Sequence, residues 1–152
     1  MTEDQNSRSG IELPPPPLPM GAYIAAQRTG PLVYVSGQLP RWGDEMKFTG
    51  KPVSDISMDD AREAARLAAL NALAVLEHEI GDLVKVVKIV KMTGSVASPP
   101  GFTNQPQIVN AASDALVEVL GERGRHARMA VGVAELPANA TVAVELIAEV
   151  ED

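Results

Sequence analysis

From Ala22 onward the chain alternates in a way that suits strands. Ala22-Tyr23-Ile24-Ala25-Ala26 and Leu32-Val33-Tyr34-Val35-Ser36 flank Arg28-Thr29-Gly30-Pro31, and Gly-Pro is a strong turn signal, so the pattern predicts a β-hairpin. Gly37-Gln38-Leu39-Pro40 ends the second strand, and residues 41–54 read as a loop punctuated by Gly43, Gly50 and Pro52. The period then changes. Ser57-Met58-Asp59-Asp60 has the form of a capping box with Asp in the place of Glu. Ala64, Leu67, Ala68, Asn71, Ala72, Val75 and Leu76 recur at helical spacing as far as Gly81, a natural stop. The alanines on this stripe permit close approach to a sheet. His78, near the end of this helix, is expected to meet the helix dipole or solvent.

Residues 83–95 are rich in Val and Ile and predict a long strand. Lys85, Lys88 and Lys91 break strict alternation, which a bulge or a helix end running into the strand accounts for. Pro99-Pro100-Gly101 interrupts the chain. Thr103-Asn104 then offers a helix cap with Pro106 in the first turn. Ile108, Val109, Ala112, Ala115, Leu116, Val119 and Leu120 line a second amphipathic helix that Gly121 and Gly124 finish. Two more strands are expected at 128–134 and 141–150, joined by Leu136-Pro137-Ala138-Asn139. The order β-β-α-β-α-β-β predicts an α+β fold, one sheet with two helices on one face. The other face is expected to be bare and apolar, and therefore buried against a second copy of the chain.

The ends and the composition narrow this further. Residues 1–17 read as a disordered, proline-rich tail, in which Leu13-Pro14-Pro15-Pro16-Pro17-Leu18-Pro19 forces an extended lead-in, and residues 18–152 as a single domain. A length of 152 residues with 45% hydrophobic content is enough to bury a core without disulfide or metal staples. Thirteen basic against twenty acidic residues leave a net charge of −7, which argues against a nucleic-acid partner. The absence of cysteine excludes a disulfide framework, a thiolate metal site and a cysteine nucleophile, and two separated histidines make a poor zinc site, so no metal is expected. Thr2-Glu3-Asp4 is acidic and no long apolar run follows, so neither a signal peptide nor a membrane span is expected, and the expected compartment is the cytoplasm.

One cation is out of character. Arg128 lies in the apolar run Ala127-Arg128-Met129-Ala130-Val131-Gly132-Val133. A guanidinium there is exposed at a strand end, paired with an acid such as Glu145, or ready to hold an anion, and its fork matches a carboxylate.

Gly21-Ala22-Tyr23, Val35-Ser36-Gly37-Gln38-Leu39-Pro40, Asn110-Ala111, Ala127-Arg128 and Leu136-Pro137 stand in the order and approximate spacing of one family. Over residues 18–150 the chain resembles the Rid/YjgF family of reactive-intermediate (imine and enamine) deaminases, also labelled L-PSP endoribonucleases. The resemblance implies a chorismate-mutase-like fold and a homotrimer with clefts between subunits. It implies a small carboxylate substrate, a 2-imino or 2-enamino acid hydrolysed to the 2-oxo acid and ammonia, with no cofactor. Arg128 would fork the carboxylate, helped by the backbone N–H of Ala130; Tyr23, Ser36, Gly37 and Asn110 would line the cleft. The chain departs from the family where an acid in the last strand positions the attacking water, since that position is Ala143 here. Glu145, two residues later on the same strand face, matches a second glutamate of the family and stands as the other catalytic candidate. His126 replaces a frequent proline, and is either a proton acceptor at the cleft rim or a solvated turn residue. Two functions stay open, deaminase and a trimeric carboxylate-binding protein with little turnover. The endoribonuclease label fits poorly with the acidic charge and the lack of a two-histidine constellation.

Overall fold

The computed structural model describes residues 10–152. Of the disordered, proline-rich tail expected over 1–17, residues 1–9 lie outside this range and 10–17 lie within it. The segment that opens the proline-rich stretch carries no helix or strand and is laid on the domain: Pro14 is buried, and Ile11 and Leu13 pack against the core.

Strand β1 (Ala26–Thr29) pairs antiparallel with β2 (Leu32–Gln38), with Thr29 opposite Leu32. The hairpin exists, but its first strand starts at Ala26 rather than Ala22 and uses the residues expected to form the turn. Gly30 and Pro31 alone make the turn, with Gly30 at φ +57°, a conformation that side chains resist. Tyr23 and Ile24, whose apolar character suggested a strand, are exposed, and the Tyr23 N–H closes a tight turn onto the Gly21 carbonyl. Within the loop that follows, β3 (Arg41–Trp42) and β4 (Glu45–Met46) form a two-residue ladder too short to leave a periodic trace.

Helix α1 (Met58–Ile80) has the expected ends. The Ser57 hydroxyl accepts from the Asp60 N–H at 3.0 Å, and Gly81 closes the last turn at φ +94°. Ala61, Ala64, Ala65, Ala68, Ala69 and Ala72 are essentially inaccessible, so the helix lies close on β2 and β7. A single 3₁₀ turn (Leu83–Lys85) leads into β5 (Val86–Ala97), and the ladder with β7 shifts register at Val86/Lys88 and Ile89/Lys91. Both explanations for the misplaced lysines therefore apply. Helix α2 (Gln105–Leu120) begins at Asn104, whose side chain makes no capping bond, contrary to the expected cap. It packs on α1 and over β5, where a Cβ on Gly94 would meet Val109 Cγ1 at 2.6 Å. Strands β6 (Ala127–Val133) and β7 (Val142–Val150) complete the sheet.

The five-stranded sheet runs β1-β2-β7-β5-β6, antiparallel throughout except for the β5–β6 pair, with both helices on one face. This is the predicted α+β arrangement. The opposite face is bare within the chain, but it is mixed rather than apolar: Lys91, Thr93, Ser95 and Glu145 interleave with Tyr34 and Ile147. Among the described residues no helix is long and apolar enough to cross a membrane.

Candidate functional site

Arg128 sits on β6, the open edge of the sheet. It pairs in register with Met92, which is fully buried under the helices, so its side chain leaves on the helix side. There one guanidinium nitrogen, Nη1, donates to Asn110 Oδ1 at 2.7 Å and to Ser113 Oγ at 3.3 Å, both on α2. Asn110 and Ser113 lie three residues apart and so share one helix face. Both partners are neutral. Nη1 thereby uses its two protons, and among the described residues Nε and Nη2 have no partner. That edge of the fork is the one that fits a carboxylate with two parallel bonds.

The alternative of an ion pair with Glu145 is excluded by parity. Glu145 pairs with Thr93, the neighbour of Met92 on β5, and successive strand residues point to opposite faces. Glu145 and Ala143 therefore occupy the bare face. Glu145 there borders a hollow of about 340 Å³ with Tyr34, Ser36, Lys91 and Thr93.

Ala130 follows Arg128 on the same side, over Gly94. The Val133 carbonyl accepts from the Ser98 N–H, inward toward β5. By alternation the amides of Arg128, Ala130 and Gly132 face the open edge of the sheet.

The remaining predicted residues gather elsewhere. Tyr23, Ser36 and Gly37 border a small hollow of about 40 Å³ with Leu39 and Arg41, beside β2. Three inter-strand steps, about 14 Å, separate β2 from β6. One chain thus brings together Arg128 and Asn110, with Ala130 two residues along the same strand, and holds Tyr23, Ser36 and Gly37 apart from them. The Leu39–Arg41 segment is tied to α1 by Asn71, fully buried, whose Nδ2 donates to the Leu39 carbonyl at 2.8 Å and the Arg41 carbonyl at 2.7 Å.

His126, two residues before Arg128, carries more than the sequence suggested. It is no solvated turn residue: it is half-buried, its Nδ1 lies 2.6 Å from the Gly124 carbonyl and its Nε2 lies 2.9 Å from Ser113 Oγ. The turn that carries it is fastened at two points. Arg123 donates to the Leu83 and Val86 carbonyls at 3.0 and 2.9 Å, and Gly124 packs directly on the backbone of Leu116.

The family model described as "YjgF/chorismate_mutase-like, putative endoribonuclease" matches residues 3–150. Protein TCP17 of Trypanosoma cruzi is 38% identical over 95% of this chain and 91% of its own. A 2-iminobutanoate/2-iminopropanoate deaminase of Dermatophagoides farinae is 31% identical over 93% of this chain and 95% of its own. The crystal structure of the protein Atu1372 from Agrobacterium tumefaciens superposes with a TM-score of 0.85 at 43% identity, covering 89% of this chain and 87% of that one. With the match running nearly end to end over a sheet and helix pair of this order, the chain belongs to the YjgF/Rid family.

Proposed function

We propose that this protein hydrolyses small 2-imino or 2-enamino acids to 2-oxo acids and ammonia, with the substrate carboxylate on Arg128. The observation that carries the reading is the half-engaged guanidinium: neutral acceptors fix Nη1 and, among the described residues, nothing engages the Nε/Nη2 edge. The likeness to a deaminase supports the same chemistry. An imine is reactive enough that orientation by an anion clamp and delivery of a water suffice, so no cofactor is required.

The site's two halves lie too far apart in one chain to act on one small molecule. A homotrimer with clefts between subunits would bring the Tyr23, Ser36 and Gly37 side of one copy to the Arg128 side of another. Sedimentation at micromolar concentration is expected to give a trimer; a monomer would refute the shared cleft.

The test of function uses 2-iminobutanoate generated in solution by an amino-acid oxidase. Ammonia release above the oxidase-only rate is expected from the wild type and not from Arg128→Ala. With 2-oxobutyrate at a hundredfold excess over Kd, the wild type should gain about 2.7 kcal/mol, a Tm rise of roughly 5–10 °C. That rise should vanish in Arg128→Ala. It should also vanish in Asn110→Asp, where the new carboxylate would pair with the guanidinium and close the clamp. Binding without turnover would establish the second reading, a carboxylate-binding protein, which Ala143 and the far-side placement of Glu145 favour.

A further inference from the structure

The water-positioning acid of the family is Ala143 here, and Glu145 lies on the sheet face away from Arg128. A different proton acceptor stands beside the clamp. The Gly124 carbonyl can only accept, so the 2.6 Å contact places the proton of a neutral His126 on Nδ1 and leaves a lone pair on Nε2. Ser113 Oγ has one proton and two lone pairs. It accepts from Arg128 Nη1 at 3.3 Å and is 2.9 Å from Nε2, so its proton points to the imidazole. The bonds run in one direction, from guanidinium to hydroxyl to imidazole to backbone carbonyl. The hydroxyl sits against a positive charge, which favours a hydroxyl losing its proton.

We propose that Ser113 and His126 form the proton relay that activates the hydrolytic water for a substrate held on Arg128. This rests on the imine-hydrolase reading above and names the group that reading lacks. The water oxygen bonds to the imine carbon and the C=N π pair moves to nitrogen. The water proton passes to Ser113 Oγ as the serine proton passes to His126 Nε2. His126 returns a proton to the nitrogen of the carbinolamine. The C–N bond then breaks with its pair leaving on ammonia, while the hydroxyl O–H pair forms the carbonyl and its proton re-enters the relay. With a neutral imine the relay hands this second proton to the departing nitrogen, which completes ammonia. With an iminium the nitrogen is already protonated when the bond breaks, and the freed ammonia takes the proton up as ammonium.

His126→Asn separates relay from scaffold, because the asparagine amide can replace the Nδ1 bond to Gly124 and supplies nothing at Nε2. In the oxidase-coupled assay, His126→Asn and Ser113→Ala are expected to lower kcat by about 10²-fold with KM changed less than about threefold, since Asn110 still holds Nη1 at 2.7 Å and neither change touches the Nε/Nη2 edge. Ser113→Thr, which keeps the hydroxyl, should recover most of the rate. Active wild type with unimpaired variants would overturn the relay alone. A rise in KM with kcat retained would also overturn it, reducing Ser113 to a support for Arg128. A wild type no faster than the oxidase alone would instead overturn the hydrolase reading. Long-range ¹H–¹⁵N spectra of the wild type test the relay without any variant. Recorded where the ring is neutral, they are expected to show the proton on Nδ1, and protonation at Nε2 alone would refute it.

Discussion

Gly124→Ala should be among the most damaging single methyl groups that can be added to this protein. An ideal Cβ there would collide with the Leu116 carbonyl oxygen and lie 2.6 Å from its carbon and 3.0 Å from Val117 Cα. All three are backbone atoms of α2, so no rotamer change relieves the overlap, and either the helix end or the turn must move. Overpacking of this kind costs about 3 kcal/mol or more, a fall in Tm of roughly 6–12 °C for a chain of this size. Thermal or urea unfolding checks it, with Gly81→Ala as the comparison. Gly81 has φ +94° but nothing within 4 Å of the added carbon, so only the backbone penalty of about 1–2 kcal/mol applies. Equal losses at the two positions would show that contact with α2 is not what requires glycine at 124. Because the Gly124 carbonyl also holds His126, any Gly124→Ala protein that folds should lose turnover more than ligand affinity.

Asn71→Asp should cost at least as much, by a different route. Both bonds from Asn71 Nδ2 end on carbonyl oxygens inside the domain. A carboxylate there would direct negative oxygens at two acceptors in a site closed to bulk solvent, with no donor on the side chain to replace the one lost. An uncompensated buried charge of this kind costs about 3–5 kcal/mol. Burial and the facing carbonyls would raise the folded-state pKa of the new acid above its unfolded value, so the penalty grows as pH rises from about 4. Below that it shrinks, because the carboxyl is then protonated in both states. Urea unfolding at pH 4 and pH 7 measures the difference, and a pH-independent loss would contradict the account. The damage should extend to Ser36 and Gly37, since Asn71 fixes the segment that follows them.

The two kinds of signal in the sequence were not equally legible. Ser57, Gly81 and the alanine stripe marked α1 to within a residue because caps and period are local. The start of β1 was misplaced because Gln27, Arg28 and Thr29 are polar: they belong to an edge strand with little to bury, whereas the apolar Tyr23 and Ile24 lie exposed beside it. Arg128 stood out as a charge in an apolar run. Ser113 did not, since a serine on the polar side of a helix looks ordinary. Its nearness to His126, thirteen residues on, arises only when Gly124 folds the turn back onto α2. The spacing of Asn110 and Ser113 on one helix face was the available hint. Alternation correctly grouped Ala143 with Glu145, but their side of the sheet relative to Arg128 depends on the β5 register, which no local pattern encodes.

The alanine seam beneath α1 has a consequence for how this molecule can change. A methyl group has no rotamers to surrender on folding, so the seam adds little to the entropic cost of the native state. It also leaves nothing to trim. Substitution at Ala61, Ala64, Ala65, Ala68, Ala69 or Ala72 can only enlarge the side chain and wedge helix from sheet, or remove the methyl and loosen the helix. Laboratory selection for heat resistance should therefore leave this seam untouched and accumulate its gains on the outer surface of the helix pair.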